Sequence, residues 1–321
     1  MDVKILGHDI RAGKKIGKEE ALQLYYQPLE ELCREADAIR RHYCSNLFDL
    51  CAIVSGKSGR CWEDCKFCAQ SCHNPTHVAQ YPLLPAVDIV AEAKKNWREG
   101  IGRYSIVTSG KRLSDGEVDA LCETIREILR ETGLSVCVSL GLLDEVQYNK
   151  LKEAGVSRVH NNLETSRSYF PHICTTHTFD DKIKSIRCAQ SAGLEVCSGG
   201  IMGLGESPED RIDLAFTLRG LGIKSIPINM LNPIPGTPLA RNRVLTEEDM
   251  RRISAVYRFI LPDAFVRLAG GRGLLPDQGR GCFMSGANAA ISGDMLTTAG
   301  ITVQTDLQLL RRLGYEVREQ V

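Results

Sequence analysis

Short apolar runs alternate with longer amphipathic segments through most of the chain, and this alternation restricts the fold more than any other feature. The runs have the length and composition of buried strands, while the segments between them have helical periodicity. Such alternation predicts a parallel sheet covered by helices, and eight units can close on themselves. We therefore predict an α/β fold, a (β/α)8 TIM-type barrel, with strands near residues 47–54, 103–108, 134–140, 157–163, 194–201, 223–231, 263–268 and 289–293.

The helical segments repeat their apolar residues at spacings of three and four. A further helical stretch, 18–43, comes before the first strand. We expect residues 1–45 to form an N-terminal helical extension and residues 46–321 to form the barrel with its C-terminal segment. The predicted barrel helices are 87–99, 115–131, 145–153, 180–192, 208–221 and 247–260.

Composition excludes several classes of protein. Lys+Arg and Asp+Glu both number 40, so the chain lacks the basic field of a nucleic-acid-binding protein. No apolar run approaches the roughly 20 residues that a membrane helix needs, and the N-terminus lacks an apolar signal core. These features predict a cytoplasmic protein without membrane or nucleic-acid partners. In such a chain the 13 cysteines favour metal or redox chemistry over disulfides.

Three cysteines, Cys61, Cys65 and Cys68, form the pattern C-x₃-C-x₂-C directly after the first predicted strand. Cubane iron–sulfur clusters usually take four cysteine ligands, and structural zinc sites also take four protein ligands. Three thiols on one loop without an obvious fourth favour a [4Fe–4S] cluster with one open iron; a zinc knuckle is the alternative. The position after a strand places this triad at the C-terminal mouth of the barrel, where such folds hold their active sites.

The triad resembles that of the radical S-adenosylmethionine (SAM) enzymes. The resemblance implies that the open iron binds the amino and carboxylate groups of SAM. An electron from the reduced cluster then cleaves SAM to methionine and a 5′-deoxyadenosyl radical. It further implies that Phe67 packs near the adenine, that no side chain acts as acid or base, and that a flavodoxin or ferredoxin supplies the electron.

From about Leu50 to the C-terminus, an ordered set of short segments resembles the biotin synthase family within that superfamily. The resemblance implies a sulfurtransferase of biotin biosynthesis, which inserts sulfur between a methyl and a methylene carbon of dethiobiotin. It implies that an auxiliary iron–sulfur cluster supplies the sulfur, and that the protein is a homodimer. The segments are 68–71, 160–165, 196–201, 203–206, 227–231, 236–239, 266–272 and 296–298.

The same resemblance assigns the binding residues. Glu164, where the family often has aspartate, is expected to accept hydrogen bonds from the ribose hydroxyls of SAM, and Asn162 to lie near both ribose and substrate. Alternatively, both residues cap the next helix. His160 shares their strand phase and is interpreted as a hydrogen-bonded interior histidine. The remaining expected contacts are Ser198, Gly199 and Gly200 with SAM, Asn229 with the ureido ring, and Thr297 and Thr298 with the valeryl carboxylate.

The auxiliary cluster departs from the family pattern, which implies three cysteines and one arginine around a [2Fe–2S] cluster. Cys137, Cys197 and Arg267 match that pattern, but Ser105 stands where the third cysteine is expected, and serine is a poor iron ligand. Cys51, on the first strand, can restore a third thiol. We expect a second [4Fe–4S] cluster on these residues, with [2Fe–2S] as the alternative.

Several cysteines and Arg267 have more than one interpretation from the sequence alone. Cys51 can instead be a small buried hydrophobic residue, and Arg267 either a weak iron ligand or a positive charge that tunes the cluster. Cys72 is expected on the mouth loop and Cys174 near the substrate mouth, without an assigned role. Cys33, Cys44, Cys122 and Cys188 are interpreted as helix or packing residues.

Two other functions compete with sulfur insertion. One keeps the fold but acts on another small molecule, as a maturase or a methyl transferase, and it predicts that Cys51, Cys137 and Cys197 are dispensable. The other is a non-catalytic iron–sulfur carrier. It predicts no SAM binding and tolerance of changes at Glu164 and at residues 198–200.

Overall fold

A computed structural model describes residues 1–317 of the chain. Its strands form one sheet of parallel pairs in which the first and the ninth strands also pair, so the sheet closes into a barrel. The predicted (β/α)8 barrel is confirmed. The strands are β1 Leu47–Lys57, β2 Arg103–Thr108, β3 Ser135–Ser139, β4 Arg158–His160, β5 Glu195–Cys197, β6 Gly200–Met202, β7 Ser225–Met230, β8 Phe265–Leu268, β9 Ala289–Ser292 and β10 Glu316–Val317.

One position of the barrel wall is shared by two short strands. β5 pairs with β7 at Cys197 and Ser225, and β6 pairs with β7 from Gly200 and Ile228 onward. The sequence predicts one continuous strand here. The break has a physical cause, because Pro227 lies between the two pairings and has no N–H to donate to a ladder.

Helices cover the barrel, and side-chain caps determine where several begin. Ser114 Oγ accepts the backbone N–H of Glu117, whose carboxylate accepts the N–H of Ser114, and the same reciprocal pattern recurs at other helix starts. The helices are α1 Val3–Arg11, α2 Lys18–Tyr25, α3 Leu29–Cys44, α4 Ala86–Arg98, α5 Asp115–Glu131, α6 Glu145–Glu153, α7 Phe179–Ser191, α8 Pro208–Gly220, α9 Glu247–Ile260, α10 Arg280–Phe283 and α11 Val303–Arg312. Each described helix is too short or too polar to cross a membrane.

The region before the barrel holds three helices, whereas the sequence predicts one. Pro28 separates α2 from α3, because proline disfavours helical backbone in the residue before it. Asp2 caps α1, a helix that the apolar spacing alone did not predict. Helix α3 packs against α9, and Arg252 donates to the carbonyl oxygens of Tyr25 and Gln27. The division of the chain at residue 45 stays a prediction.

Aromatic packing holds the N-terminal end of β1 in place. The Phe48 ring lies 5.0 Å from the Phe283 ring and 5.1 Å from the Tyr315 ring, both in edge-to-face geometry. Strand β10 pairs with β1 at Leu47 and Phe48. These contacts fix the strand from which Asp49 and Cys51 face the barrel interior.

Candidate active site

A cavity of about 420 Å³ fills the barrel lumen and reaches its mouth. Many barrels of this type have interiors packed with branched side chains, so open space lined by thiols and charged groups indicates a binding site. The cavity brings together most of the residues predicted from the sequence. They are Cys51, Cys61, Cys65, Phe67, Cys68, Cys137, Asn162, Glu164, Cys197, Asn229, Arg267, Thr297 and Thr298.

The triad lies on a loop whose backbone is held by a compact set of hydrogen bonds. Cys72 N donates to Cys61 O at 2.8 Å, and Asn74 Nδ2 donates to the carbonyl oxygens of Cys65 and Cys68 at 3.2 and 2.8 Å. Burial raises the pKa of Cys61 and raises that of Cys68 to about 11. Because iron binds thiolates, loading a cluster here releases protons.

A group that the sequence analysis did not assign lies against this loop. Cys174 Sγ lies 3.7 Å from Cys65 Sγ and 3.3 Å from His177 Nδ1, and that ring nitrogen also contacts the Glu63 carboxylate. Cys65, Cys174 and His177 have ligand atoms within 4.8 Å of one another. The spacing Cys-x-x-His was the available signal, but its partner Cys65 is 109 residues away in the sequence.

Glu164 presents an unsatisfied oxygen to the cavity. Its Oε2 is buried and has no hydrogen-bond partner within residues 1–317, and burial raises the pKa of its carboxyl group. Its backbone is left-handed, with φ of 69°, which is strained for a residue with a side chain. A buried acceptor in a strained turn suits a ligand that brings hydroxyl donors, as a ribose does.

The side chain of Asn162 binds the backbone of a neighbouring segment and does not cap a helix. Its Oδ1 accepts the backbone N–H of Gly199 at 3.1 Å, which ties β4 to the segment between β5 and β6. The next helical turn is instead stabilised by Ser166, whose Oγ accepts the N–H of Tyr169. The capping alternative therefore fails for Asn162, which lines the cavity.

Ser198, Gly199 and Gly200 lie outside the cavity lining, although their neighbours Cys197 and Ile201 belong to it. A Cβ added at Gly199 would lie 1.9 Å from Pro227 O, and one at Gly200 would lie 2.3 Å from Glu164 O. The glycines thus permit close approach of neighbouring backbone within the barrel wall. Their expected contact with SAM stays a prediction.

We expect Gly199→Ala to destabilise the fold by about 1–3 kcal/mol or more, because the added carbon overlaps a carbonyl oxygen that cannot easily move. Denaturant unfolding measures the change. The matched control is Gly220→Ala near the end of α8, where an added Cβ meets nothing within 4 Å. Equal free energies of unfolding for the two variants would contradict the packing argument.

The floor of the lumen holds the second set of thiols. Cys51, Cys137 and Cys197 come from β1, β3 and β5, and all three side chains are buried and line the cavity. Burial raises the pKa of Cys51 to about 12. Burial also opposes ionisation of Cys197, but His160, Arg267 and Arg158 outweigh it and lower its pKa to about 6. His160 lines the cavity near Cys197, and its expected role as a hydrogen-bonded interior histidine stays a prediction.

Each of these thiols has a polar neighbour at the floor. Arg267 Nη1 lies 3.2 Å from Cys51 Sγ, and Ser225 Oγ donates to Cys197 Sγ at 3.2 Å. Cys137 Sγ lies 3.5 Å from Arg103 Nη1. Ser105, which stands at the expected cysteine position, lines the same cavity from β2.

Comparisons with known proteins identify the family of this chain. Residues 57–218 match the Radical SAM superfamily, and residues 227–316 match the Biotin and Thiamin Synthesis associated domain. The chain is 56% identical to biotin synthase of Brachyspira hyodysenteriae (strain ATCC 49526 / WA1) over 97% of this chain and 94% of that protein. The chain belongs to the biotin synthase family. Biotin synthase of Akkermansia muciniphila (strain ATCC BAA-835) is 58% identical, over 96% of both chains.

Two solved structures share the fold at low sequence identity. Methylornithine synthase (PylB) superposes with a TM-score of 0.85 at 20% identity, covering 98% of each chain. HydG, a maturase of the [FeFe]-hydrogenase, gives a TM-score of 0.84 at 17% identity, covering 99% of this chain and 76% of the other. These two likenesses establish the fold alone.

Membership in the biotin synthase family implies SAM and iron–sulfur clusters, and the donor sets of this lumen fit them. The mouth offers three thiols on one loop, beside a buried carboxylate oxygen without a partner. Within the described residues, the ligand atoms of Cys65, Cys174 and His177 all lie within 4.8 Å of one another. The three floor thiols, those of Cys51, Cys137 and Cys197, do not lie this close together. Wider spacing suits a multi-iron cluster better than a single ion.

Proposed function

We propose that this member of the biotin synthase family inserts sulfur between a methyl and a methylene carbon of dethiobiotin, with sulfur drawn from the floor of its own barrel. One observation supports this function above all. A single lumen carries one set of three thiols at its mouth and a second set at its floor, with the predicted substrate residues among its lining. A radical generated at one end can therefore act on a substrate held next to a sulfur source.

At the mouth, Cys61, Cys65 and Cys68 would hold the [4Fe–4S] cluster, and Glu164 would accept hydrogen bonds from the ribose of SAM. When bound, SAM and the reduced cluster supply the 5′-deoxyadenosyl radical that removes hydrogen from unactivated carbon. The protein's own contribution is positioning, since a radical abstracts hydrogen only from an atom that is held close to it. Phe67 supplies an apolar surface for the adenine.

Asn229 is well placed to orient the substrate. Its Nδ2 donates to Gly200 O at 3.0 Å and its Oδ1 accepts the Gly270 N–H at 2.9 Å, so the orientation of the amide is fixed by backbone on both sides. The amide keeps one further N–H and one lone pair, which suit a ureido group. Thr297 and Thr298, on the loop after β9, offer hydroxyl donors to the carboxylate end.

At the floor, Cys51, Cys137 and Cys197 would hold the auxiliary cluster, with Arg267 beside it. A [4Fe–4S] cluster is our preferred form because it keeps more sulfide at one site. Iron analysis of the anaerobically reconstituted protein distinguishes the forms. About eight irons per chain would support two four-iron clusters, whereas about six would support a two-iron auxiliary cluster.

The function is tested by supplying dethiobiotin, SAM and a reductant without oxygen, and measuring both biotin and 5′-deoxyadenosine. We expect both products. Cleavage of SAM without biotin would defeat the assignment and favour a maturase or methyl transferase on the same fold. Absence of SAM binding would favour a non-catalytic cluster carrier.

The electron donor, the oligomeric state and the cellular location are proposed from the properties of the family. A flavodoxin or ferredoxin would deliver the electron to the mouth cluster, and the protein would work as a homodimer in the cytoplasm. The mouth loop presents Trp62, 77% exposed and next to Cys61, as a surface for that redox partner. A size measurement in solution and a reduction assay with each donor test these proposals.

A further inference from the structure

Four charged side chains are buried together beneath the floor thiols, and three of them were not singled out by the sequence. Asp49 of β1 accepts Arg158 Nη1 at 3.1 Å and Arg267 Nη2 at 2.8 Å, and Arg103 Nε lies 3.7 Å from its other oxygen. The four residues are only 2 to 6% exposed. We call Asp49, Arg103, Arg158 and Arg267 the charged floor.

The hydrogen bonds of Arg267 leave little freedom for its guanidinium. Nη2 donates to the Asp49 carboxylate, while Nη1 is directed at Asp49 O at 3.0 Å, Ala290 O at 2.9 Å and Cys51 Sγ at 3.2 Å. A nitrogen that binds iron must offer a lone pair, whereas a guanidinium has only donors. Binding iron through Nη1 would break several buried hydrogen bonds at once.

Arg103 lies on the other side of the floor and forms a longer ion pair with Asp49, because its Nε is 3.7 Å from the carboxylate and makes no hydrogen bond within residues 1–317. Its Nη1 lies 3.0 Å from Ser135 Oγ, 3.2 Å from Ser157 Oγ and 3.5 Å from Cys137 Sγ. Two guanidinium groups therefore direct N–H donors at two different floor thiols, and Asp49 contacts both. Hydrogen bonds to a cluster's sulfur atoms and nearby charge are known to set its reduction potential.

The net charge of the charged floor requires a negative partner. Three arginines and one aspartate carry a net charge of two positive units where water is excluded, and buried charge is costly unless it is compensated. The neighbouring Glu195, which pairs with Arg158 at 2.8 Å, is largely exposed and compensates only from outside. Thiolates around an iron–sulfur core provide the missing negative charge.

We propose that Asp49 is a positioning residue that holds Arg267 and Arg103 as hydrogen-bond donors to the sulfur atoms of Cys51 and Cys137, so that Arg267 is not an iron ligand in this protein. Arg158 completes the charged floor. The inference rests on the auxiliary cluster proposed above, and it assigns that cluster three thiol ligands and a set of donors in place of an arginine nitrogen.

The ligand question is decided on protein that carries arginine labelled with ¹⁵N in the guanidinium group. A variant with Cys61, Cys65 and Cys68 changed to alanine isolates the auxiliary cluster, whose reduced form is examined by pulsed electron–nuclear double resonance. We expect a ¹⁵N coupling several-fold weaker than that of an iron-bound nitrogen. A coupling of the directly bound size would overturn the inference. Failure of any auxiliary cluster to load would instead count against the proposed function.

The role of Asp49 is tested by the direction of change in the potential of the auxiliary cluster. Asp49→Asn removes a negative charge, which favours the added electron and should raise the potential, while Arg158→Gln should lower it. Asp306→Asn, which disrupts a buried bidentate pair with Arg272 elsewhere, is the control and should leave the potential unchanged. Shifts of the same sign in the first two variants, or none, would overturn the inference. If neither variant loads the cluster while the control does, the charged floor is required for its assembly, as positioning predicts.

Discussion

A Cys68→Ala variant should lose SAM cleavage and biotin formation together, with 5′-deoxyadenosine falling to background. The proposed cluster would have only the three thiols of the triad as protein ligands, so removal of one would leave two where a cubane cluster usually has four. Iron per chain should fall by about four if the auxiliary cluster loads independently. Chromatographic quantification of 5′-deoxyadenosine, with iron analysis of the same sample, measures both effects.

The matched control for this variant is Cys72→Ala. Cys72 lies on the same loop, but its side chain is exposed and outside the cavity lining. We expect it to retain full iron content and SAM cleavage. Loss of activity in both variants, or in neither, would show that the triad is not the ligand set.

Cys51→Ala should separate the two halves of the reaction. SAM cleavage should continue, because the mouth cluster is intact, while biotin formation should fall to background. The cause is the loss of one of three buried thiols, which would remove a ligand of the auxiliary cluster and leave Arg267 Nη1 without its sulfur acceptor. Mössbauer spectroscopy compares the iron of the variant with that of the unmodified protein.

Cys122→Ala provides the comparison for Cys51→Ala. Cys122 is also a buried cysteine, but it lies on α5 within the apolar core, where its loss costs packing and one thiol hydrogen bond to Lys150 O at 3.6 Å. Its iron content and biotin yield should match those of the unmodified protein. Normal biotin formation by the Cys51→Ala variant would support the interpretation of Cys51 as a small buried hydrophobic residue.

The barrel was predictable because its signals are local. The mostly apolar run 134–140 lies between Gly133 and Gly141 and contains the strand Ser135–Ser139. A helix start such as Ser114 is indicated by the Ser and Glu of its capping box, which are three residues apart. The break between β5 and β6 was not predictable from its own segment. Its cause is Pro227, a residue of the neighbouring strand that only the closed sheet brings opposite.

The candidate site also contains both residues that are close in sequence and residues that only the fold brings together. The three cysteines of the triad lie within eight consecutive residues, so a cluster site could be predicted there from the sequence alone. The charged floor has no local signature, because Asp49, Arg103 and Arg158 stand on three different strands and meet only through the register of the sheet. The contact between Cys65 and Cys174 is equally distant in sequence and was missed for the same reason.

The burial of the charged floor limits how the lumen can be reached. Asp49 and its three arginines are nearly inaccessible, so the charged floor offers no opening at the lower end of the lumen. Substrate, SAM and any sulfur or iron that restores the auxiliary cluster must then all pass through the mouth. In the proposed reaction, the repair of the sulfur source and the release of product would therefore share one passage.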